Sequence, residues 1–195
     1  MVTVVHQTDL YRPHQDPDDH WDLACQYALA KLGRQRLGGI LLDYPYEGGP
    51  GDPDICAIAQ MNRICGMNVP YGIGAEPGKT LSQAAELLLS VLAESPVPVA
   101  VHIVGSCIDV ALALNAQPER FERNCAAIYL HAGAAQDDRQ LEYNVALAPW
   151  AYARVHAAPC PVYWLPCFHR VPDWGKEDMR IGKHGTFYRF VQGDI

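Results

Sequence analysis

The chain has 195 residues, 49% hydrophobic and 19% charged, which is enough for one globular domain with a substantial core and excludes a disordered segment. Its 22 Asp and Glu against 15 Lys and Arg give a net charge of −7, which argues against the basic footprint of a nucleic-acid binder and suits a site that holds a cation. No apolar run approaches the roughly 20 residues a bilayer span needs, and Met1 to Asp9 lack a signal-peptide pattern, so a cytoplasmic protein without nucleic-acid or membrane partners is expected.

Val2 to Thr8 is a short β-branched apolar run that reads as a buried strand, followed by a polar loop over residues 8–19 that carries Pro13 and Pro17. From Asp19, the positions Trp21, Leu23, Ala24, Tyr27, Ala28 and Leu32 recur at helical spacing, and Gly33 stands where the helix should stop. Leu37 to Leu42 reads as the second strand and residues 43–53, rich in Gly and Pro, as a long loop. A helix to about Cys65 and a strand from Val69 to Ile73 follow. Thr80 to Gln83 fits a capping box ahead of a helix ending near Ser95. Strands are then expected over Pro98–Val104, Ala126–Leu130 and Pro161–Leu165, with helices over Ser106–Asn115 and Pro149–Ala157. The strand–helix alternation predicts an α/β fold: an open, mostly parallel Rossmann-like sheet with helices on both faces. Residues 167–195 read as an irregular tail of one domain that spans the chain.

In such a sheet the ligand crevice lies outside the carboxyl ends of the strands, so the residues directly after each strand carry the information. After the first strand come five carboxylates in 14 residues: Asp9, Asp16, Asp18, Asp19 and Asp22. Gathered in one place they repel one another, and a hard divalent cation removes that repulsion because Ca²⁺ and Mg²⁺ prefer carboxylate oxygen. The competing reading is a solvated acidic loop whose aspartates favour the positive end of the next helix. His102 and His131 sit in apolar strand contexts and read as hydrogen-bonded residues rather than ligands. Tyr44, Tyr46 and Tyr163-Trp164 read as packing aromatics, with stacking on a base as the alternative. The seven dispersed cysteines, 25, 56, 65, 107, 125, 160 and 167, form no C-x-x-C pair and read as reduced, buried structural thiols.

Four segments, taken in order, resemble the nucleoside hydrolase family. Gln7-Thr8-Asp9 and Asp18-Asp19 resemble its opening D-x-D-P-G-x-D-D. The stretch from Val101 through Val104-Gly105-Ser-Cys-Ile-Asp resembles its strand, glycine turn and helix, T-G-P-L-T-N-L-A. Ile128 to Gly133 resembles its M-G-G strand end, and Glu142-Tyr143-Asn144 with Pro149-Trp-Ala-Tyr-Ala resembles E-F-N-x-x-x-D-P-x-A-A.

The resemblance implies a metal-dependent hydrolase of N-glycosidic bonds in ribonucleosides or related N-ribosides. It implies Asp9 as the residue that deprotonates the attacking water, with Asp9, Asp19 and the Val104 carbonyl holding Ca²⁺. Asp18, Glu142 and Asn144 are implied to bind the sugar of a small-molecule nucleoside, and a homo-oligomer is compatible with this. Eight residues separate Asp9 from Asp18, more than in the family motif, which leaves Asp16 as an alternative ligand; the family's asparagine after the second strand is missing, with Asp43 nearby. The family takes a further metal carboxylate and a leaving-group histidine from a later region, so the resemblance also implies a missing C-terminal third. Asp173, Asp178, His169 and His184 read as exposed loop residues rather than substitutes. The competing function is a non-catalytic metal- or sugar-binding domain, or an inactive fragment; a phosphohydrolase with an aspartate nucleophile is weaker still, for want of a later phosphate-holding motif.

Overall fold

The structure, a computed structural model, describes residues 1–11, 17–44, 52–75, 81–134 and 141–166. Asp16, Tyr46, Thr80, Cys167, His169, Asp173, Asp178 and His184, and the expected tail from residue 167, lie outside the described residues. The elements run β1 (Val2–Thr8), α1 (Pro17–Lys31), β2 (Gln35–Leu42), α2 (Pro53–Cys65), β3 (Tyr71–Ile73), α3 (Gln83–Glu94) and β4 (Val99–Ile103), then α4 (Ile108–Ala116), α5 (Pro118–Asn124), β5 (Cys125–Leu130), α6 (Tyr143–Leu147), α7 (Pro149–His156) and β6 (Val162–Trp164).

The strands form one sheet in the order β3-β2-β1-β4-β5-β6, and every pairing is parallel. The chain first steps outward from β1 to β3, then returns to lay β4 on the other side of β1 and steps outward again. Right-handed crossovers therefore put the helices of the two halves on opposite faces. Leu23 and Tyr27 of α1 and Ile58 of α2 pack on Leu37, Ile40 and Leu42 of β2. The larger cluster joins α3, α4 and α7 to Val99, Val101 and Ile103 of β4 and to Ile128 and Leu130 of β5. Among the described residues no helix is long and apolar enough to cross a membrane.

Several boundaries show why the chain folds this way locally. Gly33 takes φ +67°, and the N–H groups of Gly33 and Arg34 bond back to the carbonyls of Ala30 and Leu29, which closes the last turn of α1 as the sequence suggests. The start of α3 departs from the expected capping box: Ser82 is the cap, its hydroxyl accepting the Ala85 N–H at 3.0 Å. Two helices escaped the apolar spacing. In α5, Pro118 supplies a preset φ in the first turn, and α6 is a short helix capped by Glu142. The six described cysteines are free: Cys107 and Cys125 are buried as expected, Cys25, Cys65 and Cys160 are half-buried and Cys56 is exposed.

Across the middle of the sheet, β1 and β4 place His6 opposite His102. Their Nδ1 atoms are 3.0 Å apart and the rings stack with centroids 5.0 Å apart. One neutral ring must donate and the other accept, and Gln26 Nε2 lies 3.4 Å from the same His102 nitrogen. His102 also lines a cavity of about 480 Å³ on the α1 side of the sheet, with Gln26, Gln35, Tyr129 and Tyr163. Tyr163 stacks on Tyr129 at 5.2 Å.

Burial, and then the charge on the other ring, holds His6 well below the usual histidine range. Burial, and then His131, draws His102 down to about 4. A histidine depressed in the folded state binds its proton more readily when unfolded, so its contribution is present above the unfolded value near 6.5 and is lost as pH falls towards 4. His102→Gln, which keeps hydrogen-bonding capacity but cannot titrate, is expected to narrow its stability gap to the wild type by roughly 3 kcal/mol between pH 7 and pH 4. Urea denaturation at a series of pH values reads this; a gap that stays constant or widens contradicts it.

Candidate active site

The strand order reverses between β1 and β4, and a doubly wound sheet opens its crevice at that point, outside the carboxyl ends. Four post-strand segments meet here: Asp9 after β1, Asp43 after β2, Val104-Gly105-Ser106 after β4 and His131 to Gly133 after β5.

Asp43 ties the first three together. It is 6% exposed, and its Oδ1 accepts Gln7 Nε2 at 2.6 Å and the Ser106 hydroxyl at 2.7 Å, while Oδ2 accepts the Ser106 N–H at 2.9 Å. Gln7 completes the link, its Oε1 accepting the Gly105 N–H at 2.9 Å. The main chain runs in parallel: Val104 N–H donates to Gln7 O at 3.1 Å and Asp43 N–H to Thr8 O at 3.2 Å. A buried carboxylate persists only when several donors replace its lost water, and here Gln7 and Ser106 supply three from the strand ends it joins.

Gly105 is where these strand ends press together. A Cβ there would stand 2.8 Å from Gln7 Nε2, 2.9 Å from Asp43 Oδ2 and 3.2 Å from the Cβ of Asp9. Asp9, 3% exposed, therefore packs directly on the turn that follows β4.

Beside this turn the fourth predicted segment arrives. Asn144 Nδ2 donates to Val104 O at 3.1 Å, while its Oδ1 is buried without a hydrogen-bond partner. Glu142 caps α6: its Oε1 accepts Asn144 N–H at 3.1 Å, and its Oε2 accepts Gly133 N–H at 2.8 Å and Val145 N–H at 3.3 Å. The structure thus brings Asp9, Val104, Asn144 and Glu142 to one end of the sheet. Asp18 and Asp19 stand in the first turn of α1, half-buried and buried respectively. The edge of the Tyr11 ring on His20, centroids 4.6 Å apart, returns that turn towards the residues after β1.

The sequence reading did not pick out three further residues. Gln7 is a polar side chain inside an apolar strand, and Ser106 follows the glycine turn. Asp109 interrupts the apolar face of α4, where it accepts the Ser82 hydroxyl at 2.6 Å and the Ala75 N–H at 2.8 Å. Burial, then the charge of Asp43, pushes the Asp109 carboxyl up to about 7 against those two bonds. Burial, then Asp43 and Glu142, pushes the Cys107 thiol up to about 12, which removes it as a nucleophile.

Among the described residues no three His, Cys, Asp or Glu side chains are grouped to hold a metal by themselves. The expected set does not need three: it consists of two carboxylates and a main-chain carbonyl, all hard oxygen donors. The buried Asn144 Oδ1, lacking a donor from the protein, adds another oxygen beside that carbonyl. This donor chemistry fits Ca²⁺ and not a soft metal.

No protein-family model matches the sequence, and no curated protein sequence matches it. Solved structures do resemble it in fold. An inosine-guanosine nucleoside hydrolase superposes with a TM-score of 0.64 at 15% identity, covering 84% of this chain and 59% of its own. A purine-preferring ribonucleoside hydrolase from Gardnerella vaginalis gives 0.60 at 14% identity, covering 84% and 60%. The type III effector protein XopQ, solved with adenosine diphosphate ribose, gives 0.59 at 17% identity, covering 85% and 56%. The fold is thus the one these nucleoside hydrolases share, and the chain spans between 56% and 60% of the length of these three structures.

Asp43→Asn replaces one acceptor with an NH₂ group facing a donor, whichever way the amide turns. The variant is expected to lose about 2 kcal/mol or more of stability, read by chemical denaturation. A loss under about 0.5 kcal/mol, the range of an ordinary surface change, contradicts the clamp described above.

Proposed function

We propose that the crevice between β1 and β4 hydrolyses the N-glycosidic bond of a ribonucleoside or a related N-riboside. The observation that carries this reading is the packing of Asp9 against the Gly105 turn, beside the Val104 carbonyl that Asn144 also reaches. The shared fold supports it, and the ligands named for the solved neighbours, nucleosides and adenosine diphosphate ribose, all contain an N-riboside.

Cleaving an N-glycosidic bond builds positive charge on the sugar ring, which carboxylates facing the ring stabilise. In this reading Asp9 accepts the proton of the attacking water. Asp18 and Asn144 bind sugar hydroxyls and hold the reacting carbon towards that water. Glu142 has less freedom, because Oε2 already serves two N–H groups, yet Oε1 serves only one and keeps an acceptor direction for a hydroxyl. Asp9, Asp19 and the Val104 carbonyl would hold Ca²⁺, which when bound would supply positive charge to acidify water at the site and offset the repulsion among the carboxylates.

The engagement of Glu142 with three main-chain N–H groups favours a second reading, a metal- and sugar-binding domain without turnover. Two measurements separate them. Millimolar Ca²⁺ is expected to raise the wild-type thermal midpoint and to leave that of Asp19→Ala unmoved. With Ca²⁺ present, inosine or uridine is expected to release free base, and Asp9→Asn is expected to slow that release about 100-fold or more. A Ca²⁺-dependent midpoint without base release leaves the binding domain; no Ca²⁺ effect and no release contradict both.

A further inference from the structure

At the opposite end of the sheet from the crevice, two thiols separated by 34 residues in sequence come together through a ladder irregularity. The pairing of β4 with β5 shifts register between Val99 and Ala100, whose partners are Cys125 and Ala127, so Ala126 is an extra residue in β5. That bulge turns Cys125 onto the face carrying Val99 and Ile128, where it is 8% exposed within the larger core cluster. Cys125 thereby takes the place two ladder steps before Ile128. In β6, Val162 pairs with Ile128, and Cys160 stands two residues before Val162 on the same face, half-buried against the same cluster. Ile128 N–H donates to Pro161 O at 2.9 Å, so the bend that holds Cys160 runs on from β6 beside the start of β5; at the spacing of adjacent strands, about 5 Å, the two Cα atoms fall within the range that a disulfide spans.

We propose that Cys125 and Cys160 form a redox-active dithiol that closes to a disulfide on exposure to a hydroperoxide. The two sulfurs differ in the way such a reaction needs. The Cys125 thiol donates to Ala127 O at 3.5 Å, with Cys160 beside it against the same cluster. The neighbouring Cys160 thiol, first, and burial, second, hold Cys125 above the usual range, while the Cys125 thiol draws Cys160 down despite its partial burial. Cys160, the more exposed sulfur, is therefore the one that reacts first as a thiolate. It attacks one peroxide oxygen, forming S–O and breaking O–O, and the departing hydroxide takes a proton to become water. The sulfur of Cys125 then attacks the Cys160 sulfur, S–S forms, S–O breaks, and a second water leaves with the Cys125 proton. Two thiols lose two electrons in all, and one hydroperoxide is reduced.

The closed loop runs from Ala126 to Pro159 and carries Glu142, Asn144, α6 and α7, so the bond staples this whole segment to the base of the sheet. It also pins the edge strand β6, which has only three residues.

Titration of the folded, full chain with hydrogen peroxide, followed by non-reducing peptide mapping, tests this. The expected product is one intramolecular Cys125–Cys160 crosslink, a loss of two titratable thiols reversed by dithiothreitol, and a thermal midpoint raised by roughly 5 °C or more. Cys160→Ser is expected to fold, to give no crosslink and to show no oxidation-dependent rise. Oxidation of the exposed Cys56 while Cys125 and Cys160 stay reduced would overturn the proposal, as would pairing of Cys160 with Cys167 instead.

Discussion

One buried carboxylate organises the business end of this molecule. Asp43 sits where three parallel strands finish, and each strand end contributes to its satisfaction or leans on it: Gln7 from β1, its own main chain after β2, and Ser106 after β4. Strand pairing alone would bring the ends side by side without saying how the chain leaves each strand. The carboxylate constrains that, because Ser106 reaches it with both N–H and hydroxyl, and Gly105 reaches Gln7, when the chain turns back over β1. The Val104 carbonyl and the Asp9 side chain then occupy the same crevice as a consequence of how Asp43 is satisfied.

The topology explains why these side chains are available. A strand order that reverses beside β1 leaves a gap between the connections on the two faces, and post-strand residues fill it. Asn144 comes from the first turn of α6, far along the chain, and its amide reaches the Val104 carbonyl in the turn after β4. The acidic surplus read from composition is concentrated here in buried form, with Asp9, Asp19, Asp43, Asp109 and Glu142 all under 10% exposed. In the acidic stretch after β1, Asp9 and Asp19 are buried while Asp18 and Asp22 are half-buried, and burial, then the charge of Asp43, raises the pKa of Asp109.

Much of this was legible in the sequence because it is local. Alternating apolar runs and helical spacing gave six strands and five of the seven helices, and Gly33 stopped α1 where a left-handed residue was needed. The segments with Asp9, Val104, Glu142 and Asn144 could be ordered because each follows a strand or opens a helix. What was hidden depends on register. Nothing near Asp43 announces that Gln7 and Ser106, 36 and 63 residues away, will bind it. The opposition of His6 and His102 follows from which residues of β1 and β4 align, and the meeting of Cys125 with Cys160 follows from one extra residue in β5. The short helices α5 and α6 escaped because they are held by a proline and a cap rather than by an apolar stripe.

The central claim is that Asp9 and the Val104 carbonyl form two walls of one oxygen-lined site. A crystal structure of the chain grown with Ca²⁺ tests it most directly. The account predicts a spherical density peak within about 2.3–2.6 Å of both an Asp9 carboxylate oxygen and the Val104 carbonyl oxygen. Density that leaves the Val104 carbonyl bound only to the Asn144 amide, with the ion elsewhere or absent at saturating Ca²⁺, would contradict it.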